Sequence, residues 1–342
     1  MFLDGLFGRN AFIDGKEYLF FSGYDYLSVH IVSEFYRLVQ EGIQKYGWVY
    51  PSSRISNTQI SLYEDCEARL SEITNTEETV LFGSGFNAGQ SCIALFGNDI
   101  DNAPLSHPAI LQQKSLLYDF DNWKDGLIND NNDHPIILAS DAVNNFSLLK
   151  YDFDSFTALN RKATFIIDDS HGIGVTGATG GGAAEYIPRN PNIDYLFTYS
   201  MGKAFGIEAG AVSTNKYFAN QLRSLPSFTA VTPPSPGPLY AFLHGKDIYA
   251  QQLEKLRNNI QYMAELLKDI PNIKIHPELP IVLLPSNTNE QNFFNNGFII
   301  SSFAYPDPNG EKLNRLVLTA AHTKVDLEKV AAFVRSDSDE CE

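Results

Sequence analysis

Two short apolar runs, each ending in polar residues capable of chemistry, constrain this chain more than anything else in it. Phe165-Ile166-Ile167 leads directly into Asp168, and Tyr195-Leu196-Phe197 leads into Thr198, Ser200 and Lys203. Runs this short and this apolar read as buried strands. Open α/β sheets bind ligands beyond the C-terminal ends of their strands, where Asp168 and the Thr198–Lys203 segment would stand.

A buried acid and a lysine in a turn of small residues, Ser200-Met-Gly-Lys-Ala-Phe-Gly, form the pair that pyridoxal phosphate requires. The lysine amine holds the cofactor as a Schiff base, and the acid keeps the ring nitrogen protonated so that the ring accepts electrons. Taken singly, Lys203 reads as a solvated surface residue and Asp168 as a helix cap. Their place on consecutive strand ends favours the cofactor. Gly83-Ser84-Gly85-Phe86-Asn87 lies between a predicted strand and a predicted helix, where unpaired amides and the helix dipole suit a phosphate; simple loop closure is the alternative. His107 is able to lie flat on an aromatic cofactor or to be an ordinary surface or core histidine. Thr229 offers a hydroxyl to a phosphate or belongs to an ordinary turn.

The 342 residues suffice for a large core and for two domains. With 44% hydrophobic and 19% charged residues the chain is ordinary globular material rather than disordered. Its formal charge of −16 argues against nucleic acid and anionic membrane surfaces as partners. Cys66, Cys92 and Cys341 show neither CxxC nor metal-ligand spacing, so no metal is expected and a reducing cytoplasm is. No N-terminal leader pattern and no apolar run of membrane length is present, which adds to the cytoplasmic expectation.

Alternation of strand and helix patterns predicts a mostly parallel, doubly wound sheet. Residues 1–50 read as an N-terminal arm, with a strand at Glu17–Ser22 and a helix from Ser33 to Gln44. Residues 51–235 read as the large cofactor-binding domain, with a helix over Ile60–Ile73 and strands at Val80 and over Pro135–Ser140. The prolines between Pro226 and Pro238 mark a boundary. Residues 236–342 read as a small C-terminal α/β domain: a long helix over Leu239–Leu267, strands near Val282, Phe298 and Leu316, and an amphipathic helix over Val325–Val334. Asp125–Asp133 is expected as a polar loop and Ser336–Glu342 as a frayed acidic tail.

Asp168-Asp-Ser-His-Gly-Ile-Gly-Val-Thr-Gly, Gly180-Gly-Gly-Ala-Ala-Glu, Ser200-Met-Gly-Lys-Ala-Phe-Gly and Leu316-Val-Leu-Thr-Ala-Ala-His-Thr occur in this order. In them the chain resembles the α-oxoamine synthases, pyridoxal-phosphate enzymes that join an amino acid to an acyl-CoA. The resemblance runs from Tyr24-Asp-Tyr-Leu to Ala320-Ala-His-Thr. It implies pyridoxal-phosphate fold type I, the aspartate-aminotransferase-like architecture, and a homodimer with active sites at the interface. It also implies residue roles. Lys203 takes the Schiff base and Asp168 the pyridine nitrogen, His171 contacts the cofactor's phenolic oxygen, and His107 stacks on the ring. Ser84, Gly85 and Phe86 cradle the phosphate, helped by Ser200. Arg315 binds the substrate carboxylate, in keeping with the forked pairing of guanidinium and carboxylate.

Departures from the family pattern fall in the substrate pockets. Tyr24 replaces an asparagine at the substrate, Arg54 belongs to a partly kept Gly-Ser-Arg element, Asn57 replaces a glycine, and Asn145 takes the place of a cofactor-ring serine. Phe146-Ser-Leu-Leu-Lys stands where the family has Ser-Met-Asp-Gly-Asp. The expected reaction is decarboxylative condensation of a small amino acid with an acyl-CoA. The alternatives are an aminotransferase or lyase acting without acyl-CoA, and a non-catalytic relative.

Overall fold

The computed structural model describes residues 1–112, 119–144, 149–304 and 309–339. Asn145 and the Phe146-Ser-Leu segment lie outside the described residues. The chain divides into two compact units. One comprises Ser33–Asn144 and Lys150–Lys246, the other Met1–Val32 and the segment from Asp247 to the C-terminal helix. The expected arm of residues 1–50 is therefore shared between the two, and the unit boundary falls after Lys246 rather than at residue 236.

The larger unit is built on a six-stranded sheet in the order Glu78–Phe82, Gly210–Thr214, Ile193–Ser200, Ala163–Asp168, Ile136–Asp141, Ile100–Asn102. Gly210–Thr214 runs antiparallel to both neighbours, and the pairs among the last four strands are parallel. Alternation along Ala163–Asp168 and Ile193–Ser200 explains why both strands are apolar throughout. Phe165, Ile167, Tyr195 and Phe197 face an aromatic layer with Phe120, Trp123, Phe153 and Phe156. Ile166 and Leu196 face the opposite layer, with Ala88, Cys92, Phe218 and Leu222. Both faces are covered, as a parallel sheet demands.

The smaller unit has its own six-stranded sheet, ordered Asn10–Ile13, Lys16–Phe21, Phe298–Ala304, Lys312–Val317, Ile281–Leu284, Lys274–Ile275. N-terminal residues thus join a C-terminal sheet through the parallel pairing of Lys16–Phe21 with Phe298–Ala304. Buried His322 ties this unit together: Nδ1 accepts from the Thr319 amide and Nε2–H donates to the Phe20 carbonyl.

Three local expectations change. Phe120–Asn129 is a helix where a polar loop was expected from residue 125. Its Asp119 cap receives the amides of Asp121 and Asn122, and Phe120, Trp123 and Leu127 form one buried stripe amid polar neighbours. The last helix, Lys324–Asp339, continues through Ser336, which was expected to fray. The long helix after the prolines is two helices, Pro236–His244 and Lys246–Leu267, broken at Gly245. A side chain there would meet the Ala241 carbonyl at 2.7 Å and the Phe35 ring, so glycine is required by close packing.

Candidate active site

Three strand ends of the large unit assemble the site. Asp168 is the register partner of Thr198 on one side and of Asp141 on the other. Its carboxylate is 8% exposed, and Oδ1 accepts the Ser170 amide at 2.9 Å. The Ser170 hydroxyl accepts the Ser200 amide at 3.0 Å, and Ser200 Oγ accepts the Gly202 amide at 3.2 Å. This chain of bonds runs from the acid to the turn that carries Lys203. The Lys203 amine lies 2.9 Å from His171 Nε2. The two residues come from successive strand ends, which bring Asp168, His171 and Lys203 to one sheet edge.

His107 also reaches this edge. Its amide donates to both carboxylate oxygens of Asp141, at 3.1 and 3.2 Å, and its Nδ1 accepts the Ala109 amide at 3.1 Å. Burial pushes the ring's pKa down, with Asp168 opposing and Lys203 adding to the shift. The 3.7 Å approach of Nδ1 to Asp168 Oδ2 is therefore no ion pair: the lone pair on Nδ1 is engaged and the ring is neutral. Burial, with Asp168 second, raises the pKa of the buried Asp141 well above the ordinary range. Asp141 escaped sequence reasoning, although the signal that found Asp168, an acid closing an apolar strand, is repeated in Pro135-Ile-Ile-Leu-Ala-Ser-Asp.

Ser84 caps the helix Gly85–Phe96, its Oγ accepting the Asn87 amide. The amides of Gly85 and Phe86 begin the helix and have no intrahelical acceptor. The turn is pressed against the strand ends. A Cβ on Gly85 would lie 2.5 Å from Ser200 Cβ, and one on Gly210 would lie 2.2 Å from the Ser84 carbonyl oxygen. This bare-backbone cradle, an adjacent hydroxyl from Ser200, a buried acid and a lysine amine are the parts a phosphate-bearing pyridine aldehyde needs. The residues present fit pyridoxal phosphate. Thr229 lies close by in the chain's fold: its carbonyl accepts Ser53 Oγ at 2.7 Å, and the preceding Ser227 accepts bonds from Asn87 and Ser91.

Asp169, next to Asp168, is 2% exposed; its Oδ2 accepts the Ala183 amide, and Gly172 and Gly182 pack against its oxygens. One expected role reads differently: Arg54 was placed at the substrate. Its guanidinium is buried against the rings of Tyr63 and Phe228, with Nη2 on Glu67 at 3.0 Å and on Glu64 at 3.3 Å. The helix Leu62–Thr74 supplies those acids, and this engages the cation internally.

Within the small unit, Arg315 extends from the strand Lys312–Val317 with its guanidinium over the Phe303 ring. Among the described residues it forms no ion pair, its Nε is buried without a partner, and burial lowers its pKa. The tyrosine that Arg315 senses is Tyr26, 1% exposed, whose phenol is pushed up by burial. Tyr24 is 56% exposed.

Fold and constellation together define a pyridoxal-phosphate enzyme of fold type I. Residues 111–334 match the family model described as aminotransferase class I and II, and the chain belongs to that family. It is 27% identical to 8-amino-7-oxononanoate synthase of Lysinibacillus sphaericus, over 94% of this chain and 89% of the relative. It is 24% identical to serine palmitoyltransferase of Sphingobacterium spiritivorum, over 91% and 84%. The Sphingomonas wittichii serine palmitoyltransferase structure superposes with a TM-score of 0.84 at 17% identity, covering 97% of this chain and 90% of that one. The 8-amino-7-oxononanoate synthase of Francisella tularensis superposes with a TM-score of 0.73 at 20% identity, covering 95% and 98%. Among the described residues no helix is long and apolar enough to cross a membrane.

Proposed function

We propose that this protein is an acyltransferase of the α-oxoamine synthase type, condensing a small amino acid with an acyl-CoA and releasing CoA and carbon dioxide. The observation that carries the reading is the 2.9 Å pair of Lys203 Nζ and His171 Nε2 beside the buried Asp168. Bound there, pyridoxal phosphate supplies an aldehyde that joins amines and a ring that withdraws electrons from the substrate's Cα. Lys203 would anchor the cofactor, and its amine, once released, takes the Cα proton, with His171 holding that amine in line. Asp168 holds the proton on the ring nitrogen, and a neutral His107 with Nε2–H offers a donor without adding charge. Ser84, Gly85, Phe86 and Ser200 take the phosphate, with Thr229 nearby, and Asn145 is proposed at the ring. Arg315 takes the amino acid's carboxylate.

In the net step a bond forms between Cα and the acyl carbon and the C–S bond breaks, its electron pair leaving on the CoA thiolate. The Cα–carboxylate bond then breaks, carbon dioxide leaves, and the Cα takes up a proton to give an α-amino ketone. Tyr24 in place of an asparagine favours glycine, alanine or serine. The domains proposed are a large cofactor-binding one and a smaller C-terminal one. The family resemblance in the sequence motifs is the ground for a homodimer with interface active sites, and the cysteine pattern supports the cytoplasm. The family match favours a second reading, an aminotransferase that uses no thioester. One assay separates them: with glycine, alanine or serine and a panel of acyl-CoAs, free CoA and carbon dioxide should appear in equal amounts. Keto-acid formation without CoA release would establish the second reading.

A further inference from the structure

Asp141 has no part in the chemistry above, yet it is held at the centre of the site. It closes the strand Ile136–Asp141 in register with Asp168 on the neighbouring strand. Two carboxylates at adjacent strand ends repel if both are ionised, and burial raises the cost further. What faces Asp141 is the His107 amide, donating to both of its oxygens. The segment carrying that amide is bent toward it. Leu105 adopts a left-handed φ of +59°, uncommon for a branched side chain and sustained only where the surroundings over-determine it. Further bonds pin the same segment: Ser106 Oγ to the Ala103 carbonyl, Gln90 Nε2 to the Ala109 carbonyl, and Asn102 Nδ2 to the Ile110 carbonyl.

We infer that Asp141 is a positioning residue of the cofactor site: its uncharged carboxyl group fixes the main chain of His107 and spares Asp168 a second charge from the neighbouring strand end. This rests on the reading of the site as one for pyridoxal phosphate. The charged and titratable groups that act on Asp141 are Asp168 and Lys203, with the neutral His107 ring adjoining and Tyr151 sensing its charge. Asp168 and burial favour the proton on Asp141; Lys203 and the His107 amide oppose it.

Two measurements test this. In the first, the cofactor-free protein is unfolded by urea at several pH values. A carboxyl raised in the folded state loses stability as pH climbs from its unfolded value near 4 toward its folded one. The unfolding constant of the wild type should therefore grow about tenfold per pH unit relative to D141N over that window. A difference that stays constant from pH 5 to 8 would mean an ordinary ionised carboxylate and would overturn the inference. In the second, pyridoxal phosphate is titrated into the cofactor-free wild type, D141N, D141A, H107A and D141A/H107A. D141A should weaken binding about tenfold, the range of one hydrogen bond. D141N, which keeps an acceptor, should restore most of that loss, and D141A should add little in the H107A background. D141A acting with equal force in both backgrounds, or lowering stability with no change in affinity, would overturn it. If D141A does not fold, the pH comparison with D141N decides alone. Failure of the wild type to bind the cofactor would sink the site reading itself, which the pH measurement does not touch.

Discussion

The Glu67 carboxylate accepts the Leu81 amide at 3.0 Å, binding a helix side chain into the strand that leads to the Gly83–Gly85 turn. The same oxygen takes Arg54, and the other takes Arg223 at 3.0 Å. One acid therefore joins two arginines and a strand beneath the turn proposed to take the phosphate.

Arg54→Ala should unfold the protein more readily rather than weaken substrate binding. The Arg54 and Glu67 side chains are 5% and 6% exposed, and removing one partner leaves a buried charge without full compensation. Breaking such pairs costs about 3–5 kcal/mol, some of which Arg223 should recover here. Urea unfolding of the cofactor-free protein reads the loss; an unchanged midpoint with a raised KM would restore the substrate role.

Lys203→Ala should keep the fold and abolish turnover, because the proposed anchoring and proton transfer both fall to that amine. Borohydride treatment of the wild type loaded with pyridoxal phosphate should fix the cofactor on a peptide containing Lys203. Labelling at any other lysine would refute the assignment.

Asp168 and Asp169 should separate chemistry from architecture. Asp168→Asn removes the partner proposed for the ring nitrogen and should cut kcat by orders of magnitude with a small change in stability. Asp169→Ala strips the Ala183 amide of its acceptor and should cost about 1–3 kcal/mol of stability. Burial raises the pKa of Asp169 well above the ordinary range, so the neutral Asp169→Asn should be the milder change. Equal kinetic damage from Asp168→Asn and Asp169→Asn would contradict this division.

Arg315→Ala should weaken amino-acid binding by about 1.5–3 kcal/mol, the range for a charged hydrogen bond. Stability should barely move, because no ion pair of Arg315 exists among the described residues to be broken. Calorimetric titration with the amino acid, set beside thermal unfolding, distinguishes the two effects.

Acid should destabilise the small unit through His322, whose pKa burial lowers to about 4. The unfolded chain binds a proton near pH 6.5 that the folded one resists until about 4, so stability is full above 6.5 and falls as pH drops toward 4. The loss amounts to about 3 kcal/mol across that window. Urea midpoints for His322→Asn should be lower at neutral pH and flatter with pH; parallel curves would rule His322 out.

Much of this site could be read in advance because its residues follow their strands directly. Ile167-Asp168 and the Thr198–Lys203 turn each carry strand signal and chemistry within a few positions. Asp141 carries the same acid-after-strand signal, but its meaning comes from register with Asp168, a relation between strands that local pattern does not hold. Arg54 was misplaced because a cation's partner depends on where a helix docks, and Glu64 and Glu67 lie ten and thirteen residues further along the chain. The helix Phe120–Asn129 was hidden by its polar majority, three apolar positions being enough to seat it. Gly245 interrupts a continuous helical pattern because the Ala241 carbonyl and Phe35 leave no space for a side chain.

The strand Ala163–Asp168 is flanked by parallel partners on both edges and covered on both faces. Such a strand exchanges its amide hydrogens only when the whole unit opens, so its protection should match the global unfolding free energy. Asp168 is attached to that last-to-open segment. The acid therefore stays in place through every local fluctuation, so the framework proposed for the cofactor is finished before anything binds.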